Sequence, residues 1–369
     1  MNVATCSPTT PPRVLHTAFV LLLIAALSAS SPKSFGAERA PQRPDGQRVL
    51  VDKDIPEYDP APPLTGDLYV GGGMVYTLVD QWVTIFSRAH PSVRVHTAVW
   101  GSTSAFGQMV QGISTSQVSV LTREFMPFEE DFLDMKANNR SKGPGRLGVA
   151  VASGGYTSAI AECVPSAVVL VHKDNPIKGL TVAQLDAIFS KTRNRGHKDI
   201  VTWGDAGLTG DWADKPIHVY MPKMPDGVPN FLRVYIMQYG EFKDTLLSLY
   251  DNPGILRKDP YALVYSNRGK GNAREDRDPN AKIVALAQTD AGPFSTGTFE
   301  EIANRSYPLS RLIYLYLNSP PGTPPDPVAK EFIRVALSRE GQQEVARTAF
   351  LPLPASFVRE STEKLEASK

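Results

Sequence analysis

The sequence predicts an α/β protein in which parallel sheets are flanked by helices. Short apolar strands alternate with amphipathic helices along most of the chain, an order typical of parallel sheets covered by helices. The 369 residues are enough for two compact lobes, each with its own core. With 42% hydrophobic and 21% charged residues, the composition is that of an ordinary globular protein.

The first 36 residues are predicted to be a signal peptide. Arg13 precedes an apolar run from Ala18 to Ala26, and the small residues Ser34 and Gly36 lie just before a plausible cleavage point ahead of Ala37. A membrane anchor is the alternative, but the run is shorter than the roughly 20 apolar residues that cross a bilayer. We therefore expect an exported chain whose signal is removed.

Residues 37–64 are predicted to be a linker or an extended strap. They carry six prolines among charged residues and show little apolar periodicity, which is typical of a segment without a core of its own.

Regular structure is predicted from residue 66 onward. Strand signals come first at 66–70, 93–100 and 118–121, and a helix is expected between the second and third strands, through Gln111. Between the first two strands, apolar residues at helical spacing define one buried helix face: Val75, Leu78, Val79, Trp82, Val83 and Phe86.

The same alternation continues from Ala167. A strand at 167–172 is followed by a turn and by a helix that Thr181 opens, with Gln184 three residues on, which is a capping box. The remaining predicted elements are strands at 217–221, 282–286 and 312–317, helices at 231–239 and 241–249, a helix capped by Asp326, and a helix at 340–349.

The ends of the first three strands indicate an anion-binding edge. These strands run into Gly71–Gly73, Gly101–Ser104 and Thr122–Arg123. In parallel sheets, ligands lie beyond the carboxyl ends of the strands, where helix N-termini present free amide donors. Backbone amides and hydroxyls at three such ends can therefore receive an anion.

Three segments carry a resemblance to a known family: Ala167–Ser190, Tyr307–Arg311 and Leu337–Gln342. They resemble the periplasmic phosphate-binding proteins that deliver substrate to ABC transporters. The resemblance implies the type II fold of periplasmic binding proteins, with two lobes joined by a two-segment hinge. Crossings near 165–168 and 306–312 would place residues 65–166 and 307–358 in lobe 1 and residues 167–306 in lobe 2.

The resemblance also implies a set of ligand-contacting loops. Met74 stands where the family has a hydroxyl, and Pro222 or Lys223 stands where the second lobe of the family has an arginine. Amides, hydroxyls and a guanidinium suit a buried tetrahedral oxyanion because they donate hydrogen bonds. The ligand-binding residues implied are Gly72, Gly73, Met74, Ser102, Thr103, Ser104, Thr122, Arg123, Asp226 and Gly227.

The expected function is that of a periplasmic binding protein for phosphate or another small oxyanion, in partnership with the membrane subunits of an ABC transporter. In one alternative the fold is kept for a different solute, with Asp226 facing a cationic or hydroxylated part and Arg123 an acidic part. In another the cleft is vestigial and the chain is a regulatory or interaction module.

Other classes of function are not supported by the sequence. A net charge of +1 argues against nucleic acid as a partner. The histidines lack the paired spacing of a zinc site, and neither a Gly-x-Ser-x-Gly elbow nor a Walker-type phosphate loop occurs. We therefore predict no catalytic residue, metal site or cofactor, with phosphate-ester hydrolysis as the remaining enzymatic alternative.

Overall fold

The computed structural model describes residues 49–73, 75–99, 106, 117–129, 131–132, 147–156, 164–269, 278–318 and 324–368. In these ranges the strands are β1 (Gly66–Gly72), β2 (Val93–Val99), β3 (Val118–Leu121), β4 (Leu147–Ser153), β5 (Ala167–His172), β6 (Gly179–Thr181), β7 (His218–Met221), β8 (Leu247–Ser248), β9 (Ala262–Asn267), β10 (Ala281–Ile283), β11 (Ala285–Ala287) and β12 (Leu312–Leu317). The α-helices are α1 (Tyr76–Ala89), α2 (Val182–Phe189), α3 (Gly227–Phe231), α4 (Phe299–Ala303), α5 (Pro327–Leu337), α6 (Arg339–Val345) and α7 (Ala355–Glu366).

The predicted fold class is confirmed: the chain forms two α/β lobes, each built on a five-stranded sheet. The order is β2-β1-β3-β12-β4 in the first sheet and β10-β5-β9-β7-β8 in the second. We call the first sheet with α1, α5, α6 and α7 lobe 1, and the second sheet with α2, α3 and α4 lobe 2.

Parallel and antiparallel pairs are mixed in both sheets. In lobe 1, β1 is parallel to β2 and β3, whereas β12 is antiparallel to β3 and β4. In lobe 2, β7 is parallel to β8 and β9, whereas β5 is antiparallel to β9 and β10. Parallel neighbours need a crossover connection. Strands β5 and β12 are entered directly from the other lobe, and both run antiparallel to their neighbours.

The helices with the clearest sequence patterns form where they are predicted. Helix α1 buries Leu78, Val79, Trp82 and Phe86. Both halves of the capping box at α2 are present, since the Thr181 amide donates to Gln184 Oε1 at 2.9 Å and the Gln184 amide donates to Thr181 Oγ1 at 3.3 Å.

Three predicted elements differ in detail. The helix predicted at 231–239 starts earlier, since α3 covers Gly227–Phe231 and continues as the π-helical segment Leu232–Ile236. Residues 241–249 do not form a helix: they lead into the short strand β8, where Leu247 pairs with Tyr220 of β7 and remains 42% exposed. The apolar spacing there therefore does not mark a buried helix face. The single strand expected at 282–286 is divided between β10 and β11, which belong to different sheets.

Each lobe has its own apolar core. Helices α1 and α5 pack on the first sheet, with Phe86 and Phe332 in edge-to-face contact at 5.8 Å. Helix α7 adds Val358 and Leu365 to the same core, so lobe 1 packing continues past residue 358. The core of lobe 2 contains Trp203 and Tyr265.

In the described part of the proline-rich segment, residues 51–64 lie as a strap on lobe 1, whereas Val49 packs against the core of lobe 2. Ile55 is fully buried, and its carbonyl accepts from Arg339 Nε at 2.9 Å. The Tyr58 hydroxyl donates to Glu331 Oε1 at 2.6 Å, and the Tyr58 amide donates to Glu340 Oε2 at 2.8 Å.

The chain passes from the first sheet to the second between β4 and β5, and it returns between β11 and β12. The two passages touch: the Ala167 amide donates to the Leu309 carbonyl at 3.2 Å, and the Gly154 amide donates to the Arg311 carbonyl at 2.8 Å. Among the described residues, no helix has the length and apolar character needed to cross a membrane.

Candidate functional site

The loops that follow β1 and β3 meet at the edge where these strands end. The Gly73 amide donates to the Val120 carbonyl at 2.6 Å. A Cβ atom on Gly73 would lie 3.0 Å from that carbonyl oxygen and 3.2 Å from Thr122 Cγ2. A residue with a Cβ atom would be crowded at this position, so glycine is favoured. The close approach of the two loops brings the predicted residues Gly73 and Thr122 into contact.

Arg311 joins this edge from the second passage between the lobes. It is buried, at 4% exposure, and its Nη2 donates to the Thr122 carbonyl at 3.3 Å. The same Nη2 lies 3.3 Å from where a Cβ on Gly227 would be, and Arg123 Cβ lies 3.5 Å from that point. Thr122 and Arg123 of lobe 1 and Gly227 of lobe 2 therefore surround the Arg311 side chain.

The predicted donor Arg123 is held by its own loop. Its guanidinium forms two hydrogen bonds of 2.7 Å with the Glu129 carboxylate, and both side chains are buried. Glu129 also accepts from the Met126 amide at 2.7 Å. A ligand anion would have to compete with this carboxylate for Arg123.

Asp226 caps the helix that faces Arg311. Its carboxylate accepts from the Val228 amide at 2.8 Å, at the N-terminus of α3, and also from the Tyr250 hydroxyl at 3.2 Å. A side-chain cap satisfies amides that a helix otherwise leaves free. Asp226 thus occupies part of the amide edge that the resemblance implied for a ligand.

Glu124 is a second buried carboxyl beside the arginines. It is 7% exposed, and its Oε2 has no hydrogen-bond partner. Burial raises the pKa of Glu124, although the guanidinium of Arg311, and less strongly those of Arg123 and Arg305, favour the ionised form. This carboxyl is therefore easier to protonate than an exposed glutamate.

Direct hydrogen bonds hold the lobes together beside this cluster. Asn230 of lobe 2 is fully buried and donates through Nδ2 to the Phe125 and Glu124 carbonyls of lobe 1, at 2.9 and 3.2 Å. The hydroxyls of Tyr235 and Tyr314 also meet across the interface.

Sequence reasoning brought together part of this site and missed another part. Gly73, Thr122, Arg123 and Gly227 converge, Asp226 adjoins Gly227, and Gly72 ends β1 with φ 115°. Met74, Ser102, Thr103 and Ser104 lie outside the described residues. The residues missed are Arg311, Glu124 and Asn230. The signal for Arg311 was its place at the end of the Tyr307–Arg311 segment, immediately before β12.

Within the described ranges, no cluster of three or more histidine, cysteine, aspartate or glutamate residues could hold a metal ion.

Two α/β lobes, crossed twice by the chain and with cationic donors between them, define the class of two-lobe binding proteins. A family model described as the PBP superfamily domain matches residues 67–340. The chain belongs to this superfamily and, within it, is a divergent member of the phosphate-binding protein family of ABC transporters.

Similarity to curated relatives extends over most of the chain. It is 31% identical to the phosphate-binding protein PstS of Pseudomonas aeruginosa over 322 residues, which cover 86% of this chain and 92% of that protein. It is 22% identical to protein SphX of Synechococcus elongatus, with 98% of this chain and 92% of that protein covered.

An ABC-type phosphate transport receptor from Vibrio cholerae aligns with a TM-score of 0.46 and 17% identity, covering 78% of this chain and 99% of that one.

Proposed function

We propose that this solute-binding protein holds phosphate or another small oxyanion between its lobes for delivery to an ABC transporter. The observation that carries the proposal is Arg311. Among the described residues its guanidinium donates one hydrogen bond, to the Thr122 carbonyl, and lies 5.8 Å from the Phe231 ring. The buried Glu124 carboxyl acts on it electrostatically, but the two side chains form no hydrogen bond in the described part of the chain. The buried Nε of Arg311 has no hydrogen-bond partner.

A buried guanidinium whose nearest carboxyl, Glu124, is itself shifted toward protonation by burial is poorly compensated, and a bound anion lowers that cost. Arg311 lies between the end of β3 and the start of α3, where anions bind in open α/β sheets. The 31% identity to a phosphate-binding protein supports the same class of ligand. In this proposal Arg311 supplies the guanidinium that the sequence lacks at 222–223, and the amides near Gly73 and Gly227 complete the site.

Arg311→Gln is expected to weaken phosphate binding roughly tenfold to a hundredfold, because charge-assisted hydrogen bonds contribute about 1.5–3 kcal/mol. Isothermal titration of the purified protein with phosphate and sulfate measures the loss. Arg359→Gln is the matched control, since Arg359 is exposed on α7. Equal phosphate affinity in wild type and Arg311→Gln would contradict the assignment of Arg311.

The second candidate is a vestigial cleft in a regulatory or interaction module. Two observations favour it: Glu129 already neutralises Arg123, and Asp226 already caps α3. A thermal-shift panel of phosphate, sulfate, molybdate, amino acids and sugars separates the candidates. A ligand of the folded state at a hundredfold excess over its Kd stabilises by about 2.7 kcal/mol. No shift with any anion would favour the second candidate.

We also propose that the chain is exported, with residues 1–36 removed. The family of the chain supports a periplasmic location. Expression of the full-length gene in a Gram-negative host is expected to give a periplasmic protein whose N-terminal residue is Ala37, as read by Edman sequencing. A mature protein that retains Met1, or a start far from Ala37, would contradict this cleavage site.

A further inference from the structure

A cavity lies beside the passage from lobe 2 back to lobe 1. We call it the hinge cavity. Its volume is about 280 Å³, near the lower end of pockets that take small ligands. Lobe 2 contributes Arg195, Phe231 and Tyr235 to its wall, and Leu312 and Phe357 belong to lobe 1. An occupant would therefore contact both lobes.

Two buried polar atoms of the hinge cavity lack a partner. Ser310 is 4% exposed, and its Oγ makes no hydrogen bond. Arg305 donates through Nη1 to the Arg311 carbonyl at 2.8 Å, but its buried Nε makes no hydrogen bond. Buried polar groups of this kind are normally satisfied by protein, water or ligand. Both atoms belong to residues that line the same cavity.

The hinge cavity is also positively charged. Arg305 is packed on the Phe357 ring at 5.3 Å, which fixes its guanidinium at the wall. Arg195 donates through Nε and Nη2 to the carbonyls of Ile236 and Tyr235. Within the described part of the chain, neither arginine forms an ion pair with a carboxylate. Burial lowers the pKa of both groups, while Asp186 near Arg195 and Glu124 near Arg305 act in the opposite direction without forming an ion pair in the described ranges. The geometry of the two guanidiniums at the wall therefore suits a partner of negative charge.

The remaining wall is mixed, with the polar side chains of Tyr235, Gln288 and Tyr307 beside an apolar part. Val182, Phe231, Ile236 and Leu312 present carbon surface to the hinge cavity. A small tetrahedral oxyanion would use the polar part of the wall and leave these apolar side chains without a contact. A carboxylate on a compact apolar body matches both parts, because a planar carboxylate fits a guanidinium and the body covers the carbon surface. We propose that the hinge cavity binds a small organic monocarboxylate.

This site is distinct from the proposed oxyanion site. Ser310 and Leu312 line the hinge cavity, whereas Arg311 between them does not. The Arg311 side chain instead points to Thr122 and Gly227. The two sites share the Phe231 ring, but substitutions of Arg305 and Arg311 distinguish them, because Arg305 lines the hinge cavity and Arg311 does not.

The test uses benzoate as the probe and the neutral isostere benzamide as its control, in titrations of the mature protein followed by calorimetry. Benzoate is expected to bind at least tenfold more tightly than benzamide. Arg305→Gln is expected to weaken benzoate binding at least tenfold, whereas exposed Arg359→Gln leaves it unchanged. Leu312→Phe fills the cavity without removing charge and is also expected to weaken benzoate binding. It is the second test variant if Arg305→Gln does not fold.

Independence from the oxyanion site is tested in the same experiment. Arg311→Gln is expected to keep benzoate binding, whether or not the wild type binds phosphate. The proposal is overturned by no benzoate binding at about 10 mM, by equal binding in wild type and Leu312→Phe, or by competitive displacement of benzoate by phosphate.

Discussion

Glu129→Gln is expected to lower the free energy of unfolding by about 3 kcal/mol, because removing one partner of a buried ion pair leaves the other charge uncompensated. Both hydrogen bonds to Arg123 measure 2.7 Å, and the Glu129 side chain has no exposed surface. The amide of glutamine preserves shape but not charge. The same change releases Arg123, so we also expect phosphate affinity to rise.

Urea unfolding followed by circular dichroism measures the stability change. Asp244→Asn is the matched control: Asp244 pairs with Lys191, the two side chains are 87% and 42% exposed, and such surface pairs contribute under about 1 kcal/mol. Equal stability losses in the two variants would show that the Arg123–Glu129 pair is not the buried contact described above.

Gly341→Ala is expected to destabilise lobe 1 by about 3 kcal/mol or more, because the added methyl group has no room. Its Cβ would lie 2.0 Å from the Val335 carbonyl oxygen and 2.9 Å from that of Ala336. Both atoms belong to the backbone of α5, so α5 and α6 would have to move apart.

The measurement is again the urea midpoint, with Gln343→Ala as the control on the same helix because Gln343 is exposed. Wild-type stability in Gly341→Ala would mean that the corner between α5 and α6 is looser than the structure shows.

The segment Leu337–Gln342 shows why a resemblance could predict the fold so well. Ser338 ends α5 and caps α6, accepting from the Gly341 amide at 3.1 Å. Gln342 is fully buried and donates to the Val151 and Ala336 carbonyls at 2.8 and 2.7 Å. Arg339 holds the strap through the Ile55 carbonyl. These roles are structural, so the segment indicates architecture rather than ligand.

The candidate site was less predictable because its charges depend on tertiary contacts. Thr122 and Arg123 follow a strand, as ligand residues often do, but the partner of Arg123 is Glu129, six positions further along an irregular loop. No sequence periodicity indicates that pairing. Asp226 suggested a contact to a cationic solute, yet its carboxylate caps α3, a local role that the neighbouring Gly227 and Val228 could have suggested.

Arg311 was missed for a different reason. The predicted ligand residues follow the carboxyl ends of parallel strands. Arg311 instead precedes β12, an antiparallel strand that the chain enters from the other lobe. Helix patterns with a clear buried face, as in α1, were predicted well. The pattern at 241–249 was not, because a short edge strand with an exposed leucine imitates helical spacing.

The position of β12 affects when lobe 1 can fold. This strand lies between β3 and β4, yet it is among the last elements to be synthesised. Until Leu312–Leu317 is synthesised, β3 and β4 of the first sheet lack the strand that joins them. Every strand of the second sheet has been synthesised by then. Under the export proposed above, the late completion of its sheet would delay the compaction of lobe 1 until most of the chain has been delivered.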